Sequence, residues 1–337
     1  MTNARSMSYM VLYSVLLMSA FCLLLIAGLR PIGFDRDSQQ YLTSYIDFTT
    51  LVDSNYLDKE PSFWIITYLC KLISSESIRP LLVIYAFLGV SINIIAIKRL
   101  TPYPLIAVFC FTFLFFPLHT MTQIRVGVAC AIFLLAIPDI VERNLKSFLF
   151  KAAFATMFHY SATVIFTTYL VNHKTINFRF YFTLPIVALL SSCYSQLFFS
   201  VFNFVTVLLP SFLGHKVQMY IALLEMDIGT QINLLSIYYT GLLIMYYFCV
   251  FNIDKFKSKY DIVFIKLLGW LLFIYYFMSF LPAIAFRVSE IFSVVIIFIF
   301  PSIVRCFKQK FFVMVAISSY VLLLFFNNVF VHSLFKF

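Results

Sequence analysis

The sequence predicts an all-α, polytopic integral membrane protein with about 10 transmembrane helices and one further short helix. Of the 337 residues, 63% are hydrophobic and only 11% are charged, which leaves too little polar surface for a water-soluble domain of this size. Lysines and arginines cluster at the ends of the apolar runs. This placement is typical of topology signals and excludes a nucleic-acid-binding patch, although the net charge is +10.

The first span covers residues 8 to 29 and is followed by an acidic external loop at residues 30 to 60. Arg5 precedes this span and no small-residue cleavage site follows it, so we expect an uncleaved helix with a cytoplasmic N-terminus. The segment near 61 to 74 holds an apolar run of about 13 residues, short of the roughly 20 that cross a bilayer. It predicts an interfacial or re-entrant helix.

Basic residues predict the direction of the crossings that follow. Lys98 ends the run at 80 to 97 and places that end inside, and the runs at 103 to 118 and 124 to 141 then go out and return. The run at 124 to 141 ends inside, and the lysines at 255 to 259 also mark an inside loop. The chain between them must therefore cross the membrane an even number of times.

Two arrangements satisfy that requirement. Either the run at 147 to 171 folds back on itself with His159 at its tip, or the run at 180 to 209 splits in two. We favour the fold-back. Both arrangements place residues 210 to 231 outside as a second external loop.

Three runs, at 261 to 281, 288 to 304 and 311 to 330, complete a single membrane domain over residues 1 to 337 and put its C-terminus outside. No internal repeat of the kind usual in coupled transporters is evident. The seven cysteines lie singly, and no metal, nucleotide or hydrolase motif is present. We therefore expect no metal and no cofactor.

Once the spans are placed, the unusual polar residues gather at the outer ends of the helices. Arg125 is the first candidate, because a guanidinium beside hydrocarbon costs roughly 2.5 to 3.5 kcal/mol unless it faces a cavity or an anion. Asp35 and Asp37 follow the first span, and Arg287 opens a late span. Structural alternatives are open for each: snorkelling for Arg125, solvated loop charges for the aspartates, and an i,i+3 ion pair with Glu290 for Arg287.

Five motifs occur in a fixed order between residue 35 and about residue 300: DRDSQQYLTSY, EPSFWIITYLCKLI, QIRVGVACAIF, KAAFATMFHYSATVIF and FRVSEIF. In these motifs the chain resembles the EpsG-like and Wzy-type polysaccharide polymerases of bacterial inner membranes. The resemblance implies a glycosyltransferase with its active site facing the periplasm. Such an enzyme polymerises undecaprenyl-diphosphate-linked oligosaccharide repeat units into a surface polysaccharide, such as an O-antigen, a capsule or an exopolysaccharide.

The resemblance also gives the candidate residues their roles. Arg125 and Arg287 are expected to bind the substrate diphosphate, since guanidinium groups stabilise the charge of a departing diphosphate. The acceptor hydroxyl needs a base, for which Asp37, His159 and Asp35 are the candidates. The expected sugar-binding neighbours are Tyr41, Gln123 and His119.

The expected partners are the lipid-linked donor and acceptor, membrane lipids, a flippase and a chain-length regulator, with no nucleic acid. The residues leave two other functions open: an O-antigen ligase, and a flippase or transporter of lipid-linked oligosaccharides. The ligase would use the same cationic site. The transporter predicts polar residues along a path through the midplane, whereas here they gather at the outer face. The short helix near 61 to 74 either lines the entrance for the lipids or simply packs at the interface.

Overall fold

The computed structural model describes residues 2–48, 59–206, 232–331 and 333–335. Across these ranges the chain is helical, and the single isolated β-bridge found there joins Asp35 to Phe335 in antiparallel fashion. The predicted all-α membrane architecture is therefore confirmed. The predicted external loop at 210 to 231 lies outside the described residues, as do residues 49 to 58 of the first loop.

The N-terminal half contains seven helices in its described part. Prolines stand in the first turn of the third, fourth and fifth of them, where their missing N–H costs no hydrogen bond. The helices are α1 (Thr2–Leu29), α2 (Ser38–Ile46), α3 (Pro61–Ile73), α4 (Arg79–Leu100), α5 (Pro104–Cys110, continued by a π-helix over Phe111–Thr122), α6 (Ile124–Glu142) and α7 (Leu145–Phe158).

The C-terminal half begins after a 3-10 helix at Tyr160–Leu170 that follows α7. Its described helices are α8 (Phe178–Ser191), α9 (Ser195–Thr206), α10 (Ile237–Phe251), α11 (Asp261–Phe277), α12 (Pro282–Ser293), α13 (Ile296–Arg305) and α14 (Lys310–Phe326).

Seven helical segments of the described chain are long and apolar enough to cross a membrane, and α12 with α13 makes an eighth if this pair, bent by 47°, is one span. The predicted count of about ten is not confirmed. One reason is that α10 has 15 residues, fewer than the roughly 20 that a perpendicular crossing needs. The seven segments are Met10–Leu29, Arg79–Leu100, Pro104–Thr122, Ile124–Glu142, Phe178–Phe202, Asp261–Phe280 and Lys310–Val331.

The run at 147 to 171 folds back on itself, as predicted. The α7 helix ends at Phe158, His159 adopts an extended conformation (φ −155°, ψ 126°), and the 3-10 helix then returns. At the start of α7, the Arg143 guanidinium donates to the carbonyl oxygens of Tyr169 at 2.6 Å and Val171 at 2.8 Å. The segment therefore enters and leaves at the same end of the molecule, and we call it the re-entrant hairpin.

Ion pairs and hydrogen bonds between helix ends distinguish the two ends of the bundle. At one end, Lys259 pairs with Glu142 at 3.2 Å and Arg305 pairs with Asp261 at 2.7 Å. We call this the basic end, since the lysines at 255 to 259 lie beside it. The opposite end holds Tyr41, Glu60 and the start of α6, and we call it the site end.

The α6 helix lies at the centre of the bundle. Its apolar stretch is 83% buried, against 17% for α1. It packs against α4, α7 and the π-helix, which places its first turn among several other segments at the site end. Close packing at this point requires a glycine: a Cβ at Gly127 would lie 1.8 Å from the carbonyl oxygen of His119.

We expect Gly127→Ala to destabilise the protein, because the added methyl group overlaps backbone that has no room to move aside. Overpacking of this kind costs about 1 to 3 kcal/mol or more. The measurement is thermal unfolding of the purified protein in detergent. Gly89→Ala is the matched control, since its Cβ meets only the Thr120 side chain, at 3.4 Å. Equal melting temperatures for the two variants would contradict the close approach.

Candidate functional site

A buried carboxylate, Glu60, joins three segments at the site end. Glu60 is 4% exposed and immediately precedes Pro61, the first residue of α3. Its Oε1 lies 2.7 Å from Nδ1 of His159, and its Oε2 accepts a hydrogen bond from the Arg125 guanidinium. The anionic partner that a guanidinium at this depth requires is therefore Glu60.

The lengths of α6 and α7 bring these side chains to the same level. The α7 helix has 14 residues and rises about 21 Å from the basic end, at 1.5 Å per residue. Its tip, His159, thereby lies beside the first turn of α6, where Arg125 is the second residue. The extended conformation of His159 ends the helix at that level.

Aromatic rings surround the other side of the guanidinium. The Cζ atom of Arg125 lies 5.5 Å from the ring centroid of Phe63 and 5.9 Å from that of Tyr41. Contacts of this kind stabilise a cation by about 0.5 to 2 kcal/mol. Burial raises the pKa of the Tyr41 phenol to about 12, so Tyr41 is neutral and able to donate a hydrogen bond at physiological pH.

The surroundings of Glu60 keep it ionised. Burial by itself would raise the pKa of this carboxyl, but the hydrogen bond to His159 and the positive charge of Arg125 lower it to about 2. Glu60 is therefore a fixed negative charge at any physiological pH. A fixed charge in this position neutralises Arg125 and orients the imidazole of His159.

A second carboxylate, Glu290 on α12, lies at the same end. Its Oε1 lies 3.0 Å from Nε2 of the buried His119. The side-chain amide of Gln123, oriented with its nitrogen toward Glu290, donates to the two carboxylate oxygens at 2.7 and 3.0 Å. The polar turn between the π-helix and α6 thus holds Glu290.

The charges of both groups influence the carboxyl of Asp37. Its pKa is raised by burial and by the neighbouring charge of Asp35, while Arg125 lowers it and Glu290 raises it further. Glu60 and Glu290 belong to one polar region, because their partners Arg125 and Gln123 lie two residues apart at the start of α6. A carboxyl with a raised pKa is a stronger proton acceptor than an ordinary aspartate.

Asp35 and Arg287 are placed differently from the other candidates. Asp35 is buried, accepts from Arg30 Nε at 2.8 Å, and accepts from the backbone N–H groups of Asp37 and Ser38 at 3.1 and 2.9 Å. These bonds fix the loop before α2. Arg287 is exposed on α12, one turn before Glu290. The structure thus brings together Arg125, His159, Asp37, Tyr41, His119 and Gln123.

Sequence reasoning did not include Glu60 and Glu290 among the site residues. Glu290 appears among the sequence predictions only as an ion-pair partner for Arg287, and Glu60 has no predicted role. A signal was present for Glu60, because a buried arginine requires an anion and Glu60 is the carboxylate that directly precedes an apolar helix. In the described part of the chain, no group of three or more His, Cys, Asp or Glu residues is placed to hold a metal ion.

A comparison with protein families finds one match, and it covers most of the chain. The model of the EpsG family matches residues 13–337, nearly the whole chain. Comparison with curated proteins and with solved structures gives no match. The family match covers every candidate residue in the site described above.

We expect Glu60→Gln to melt at a lower temperature than the wild type at neutral pH, because Arg125 loses its anionic partner. The folded pKa of Glu60 is lowered from 4.5 to about 2. The ionised carboxylate therefore adds stability that is complete above pH 4.5 and is lost as the pH falls toward 2.

The difference in melting temperature between Glu60→Gln and wild type should consequently shrink as the pH is lowered from about 7 to about 3.5. Thermal unfolding in detergent over this range measures it. The exposed Glu76 provides the control, and Glu76→Gln should match wild type at neutral pH. If the difference in melting temperature between Glu60→Gln and wild type stays constant with pH, the ionised carboxylate of Glu60 is not the source of the stability.

Proposed function

We propose that this chain, which belongs to the EpsG family of Wzy-like polysaccharide polymerases, is a glycosyltransferase that joins undecaprenyl-diphosphate-linked repeat units into a surface polysaccharide. The observation that carries the proposal is the buried Glu60 carboxylate between Arg125 and His159. This contact supports a site that contains both a cation able to bind an anion and a group able to accept a proton. The proposed transfer needs both groups.

The donor half of the reaction uses Arg125. In the transfer, the bond between the anomeric carbon and the diphosphate oxygen breaks, and negative charge develops on the departing lipid diphosphate. A guanidinium carries five N–H donors, so Arg125 can bind the diphosphate oxygens while Glu60 holds one edge of the group. Preorganised donors of this kind contribute about 2.7 to 4 kcal/mol each to transition-state stabilisation. Arg287, at the exposed surface of α12, is the proposed second contact to the diphosphate.

The acceptor half uses His159. A carboxylate only accepts hydrogen bonds, so its partner Nδ1 carries the proton, and Nε2 of the neutral imidazole is the proton acceptor. As the acceptor oxygen bonds to the anomeric carbon, its proton passes to Nε2. Asp37, whose pKa is raised, is the proposed second base and contacts the same hydroxyl. Asp35 contributes by holding the loop that carries Asp37.

Sugar rings would lie over the polar surface between these groups. Tyr41 offers a neutral phenol beside Arg125, and His119 with Gln123 forms the polar turn around Glu290. Hydroxyl-rich substrates require donors and acceptors that are already held in place. We assign sugar contacts to these three residues.

The proposed orientation puts the site end in the periplasm and the basic end in the cytoplasm. The positive-inside rule supports it, because the lysines and arginines at 98, 99, 143, 146 and 255 to 259 lie at the ends of helices opposite Glu60. The enzyme would then reside in the bacterial inner membrane. Both substrates would arrive on the outer leaflet with their lipid anchors in the bilayer, and no nucleotide sugar would be needed.

The α3 helix offers a route for those anchors. One side is buried, with Phe63 and Cys70 at 0% exposure, whereas Leu69 is 50% exposed and Leu72 is 69% exposed. An apolar helix face that begins at Glu60 suits an isoprenoid chain whose diphosphate reaches Arg125. The helix would thus lie along the lateral entrance.

We expect a strain lacking this chain to show single repeat units in place of a polysaccharide ladder. Complementation with Arg125→Ala, Glu60→Gln or His159→Ala should leave at least about 100-fold less polymer than wild type, the cost of one lost transition-state contact. The measurement is gel profiling of surface polysaccharide, with membrane levels of each variant checked. Arg99→Ala, an exposed arginine at the basic end, is the matched control and should restore the ladder.

Other outcomes point to other functions. Full-length glycan that accumulates on its lipid carrier in the null strain would indicate a ligase. Repeat units retained on the cytoplasmic side would indicate a flippase. A normal ladder in the null strain, or a full ladder with Arg125→Ala present in the membrane, would rule out the proposed role of the site.

A further inference from the structure

A cavity lies away from the site, behind the re-entrant hairpin. It encloses about 630 Å³ between the 3-10 helix, the loop at 172 to 177, the start of α8 and one side of α11. This volume is within the usual range for small-molecule sites, about 300 to 1,000 Å³. The cavity has no part in the proposed transfer.

A buried cation lies at the polar end of this cavity. Lys266 is 3% exposed, and its Nζ donates to the carbonyl oxygens of Asn172 and Thr175, the latter at 2.6 Å. Among the residues that the structure describes, no carboxylate forms an ion pair with Lys266. A buried charge without a counter-charge is costly, so this place in the protein favours an anion.

Further positive charge surrounds the same point. Arg143 holds the end of the re-entrant hairpin through the carbonyl oxygens of Tyr169 and Val171. The pKa of His173, in the adjoining loop, is lowered by burial and by the charges of Arg143, Lys174 and Lys266. Three cations lie at one short segment of the basic end, since Arg143 donates to the carbonyl oxygen of Val171, Lys266 donates to those of Asn172 and Thr175, and Lys174 belongs to the same segment.

The remainder of the cavity is apolar and reaches toward the middle of the bundle. Trp270 and Ile274 follow Lys266 along α11, so the wall extends about 12 Å from Lys266 at 1.5 Å per residue. Phe292 closes the inner part. At the rim, Leu170 is 84% exposed and Phe180 is 46% exposed, so the cavity is open at its side.

We propose that this cavity binds an anionic phospholipid from the membrane leaflet at the basic end, with the phosphate beside Lys266 and one acyl chain along Trp270 and Ile274. The apolar length suits a hydrocarbon chain, and the cations suit a headgroup of net negative charge. Lys266 lies five residues from the start of α11, about 7.5 Å, which is the depth of a lipid headgroup and its first carbons. The carrier lipid of the proposed reaction has its diphosphate at the opposite end, so it is not the occupant.

The test measures melting temperatures of the full chain in detergent micelles with added phosphatidylglycerol or phosphatidylcholine. Both lipids have acyl chains and a phosphate, but only phosphatidylglycerol has a net negative charge. At a lipid concentration about 100-fold above the dissociation constant, we expect phosphatidylglycerol to raise the wild-type melting temperature by about 4 °C more than phosphatidylcholine. Lys266→Met should lose most of this difference.

A second variant separates the cavity from the charge. Thr167 is exposed and lines the cavity, and Thr167→Phe fills it without removing Lys266. Thr163→Phe is its matched control, because Thr163 is also exposed on the 3-10 helix and donates to the carbonyl three residues earlier, at the same 2.7 Å. We expect Thr167→Phe to lose the phosphatidylglycerol effect and Thr163→Phe to keep it.

Three results would overturn the proposal. The first is an equal response of wild type to the two lipids. The second is a phosphatidylglycerol effect that Lys266→Met and Thr167→Phe both retain. The third is stabilisation by undecaprenyl phosphate without any by phosphatidylglycerol, which would make the occupant an isoprenoid lipid.

Discussion

The buried Glu60 carboxylate is the contact on which the arrangement of the site end depends. It joins the start of α3 to the first turn of α6 and to the tip of the re-entrant hairpin. The residues that it contacts there, Arg125 and His159, lie 65 and 99 residues further along the chain. None of the three ionisable groups could be buried alone at low cost, whereas together they satisfy one another. The depth at which the hairpin turns is therefore set by electrostatic pairing as well as by helix length.

Opposite environments give the carboxyls of Glu60 and Asp37 different chemical characters. The pKa of Glu60 is lowered to about 2, because Arg125 and His159 surround it, while burial and Asp35 raise the pKa of Asp37. Carboxyls whose surroundings push their pKa values apart commonly divide the work of a site. On this basis Glu60 is a permanent anion beside Arg125 and His159, whereas the carboxyl of Asp37 has a pKa above its usual range.

Sequence patterns predicted the helical membrane class, favoured the fold-back at His159 over a split of the run at 180 to 209, and indicated that Arg125 faces a cavity or an anion. They were insufficient for the identity of that anion, because the contact with Glu60 depends on how α3 and α6 pack, which apolar periodicity does not reveal. The predicted count of about ten spans is not confirmed, since the described residues contain seven candidate spans, or eight if the bent pair is one span. The 15 residues of α10 fall short of a full crossing, and the bend of 47° between α12 and α13 divides a run that reads as continuous.

The order of the site residues along the chain has a consequence for biogenesis. A membrane protein is synthesised from its N-terminus at about 5 to 20 residues per second, and its segments enter the bilayer in that order. Glu60, Arg125 and His159 belong to the first half of the chain, whereas Glu290 is supplied by α12. The nascent chain therefore holds His119 and Gln123 without their carboxylate partner until α12 has emerged from the ribosome, and an incompletely translated chain lacks the finished site.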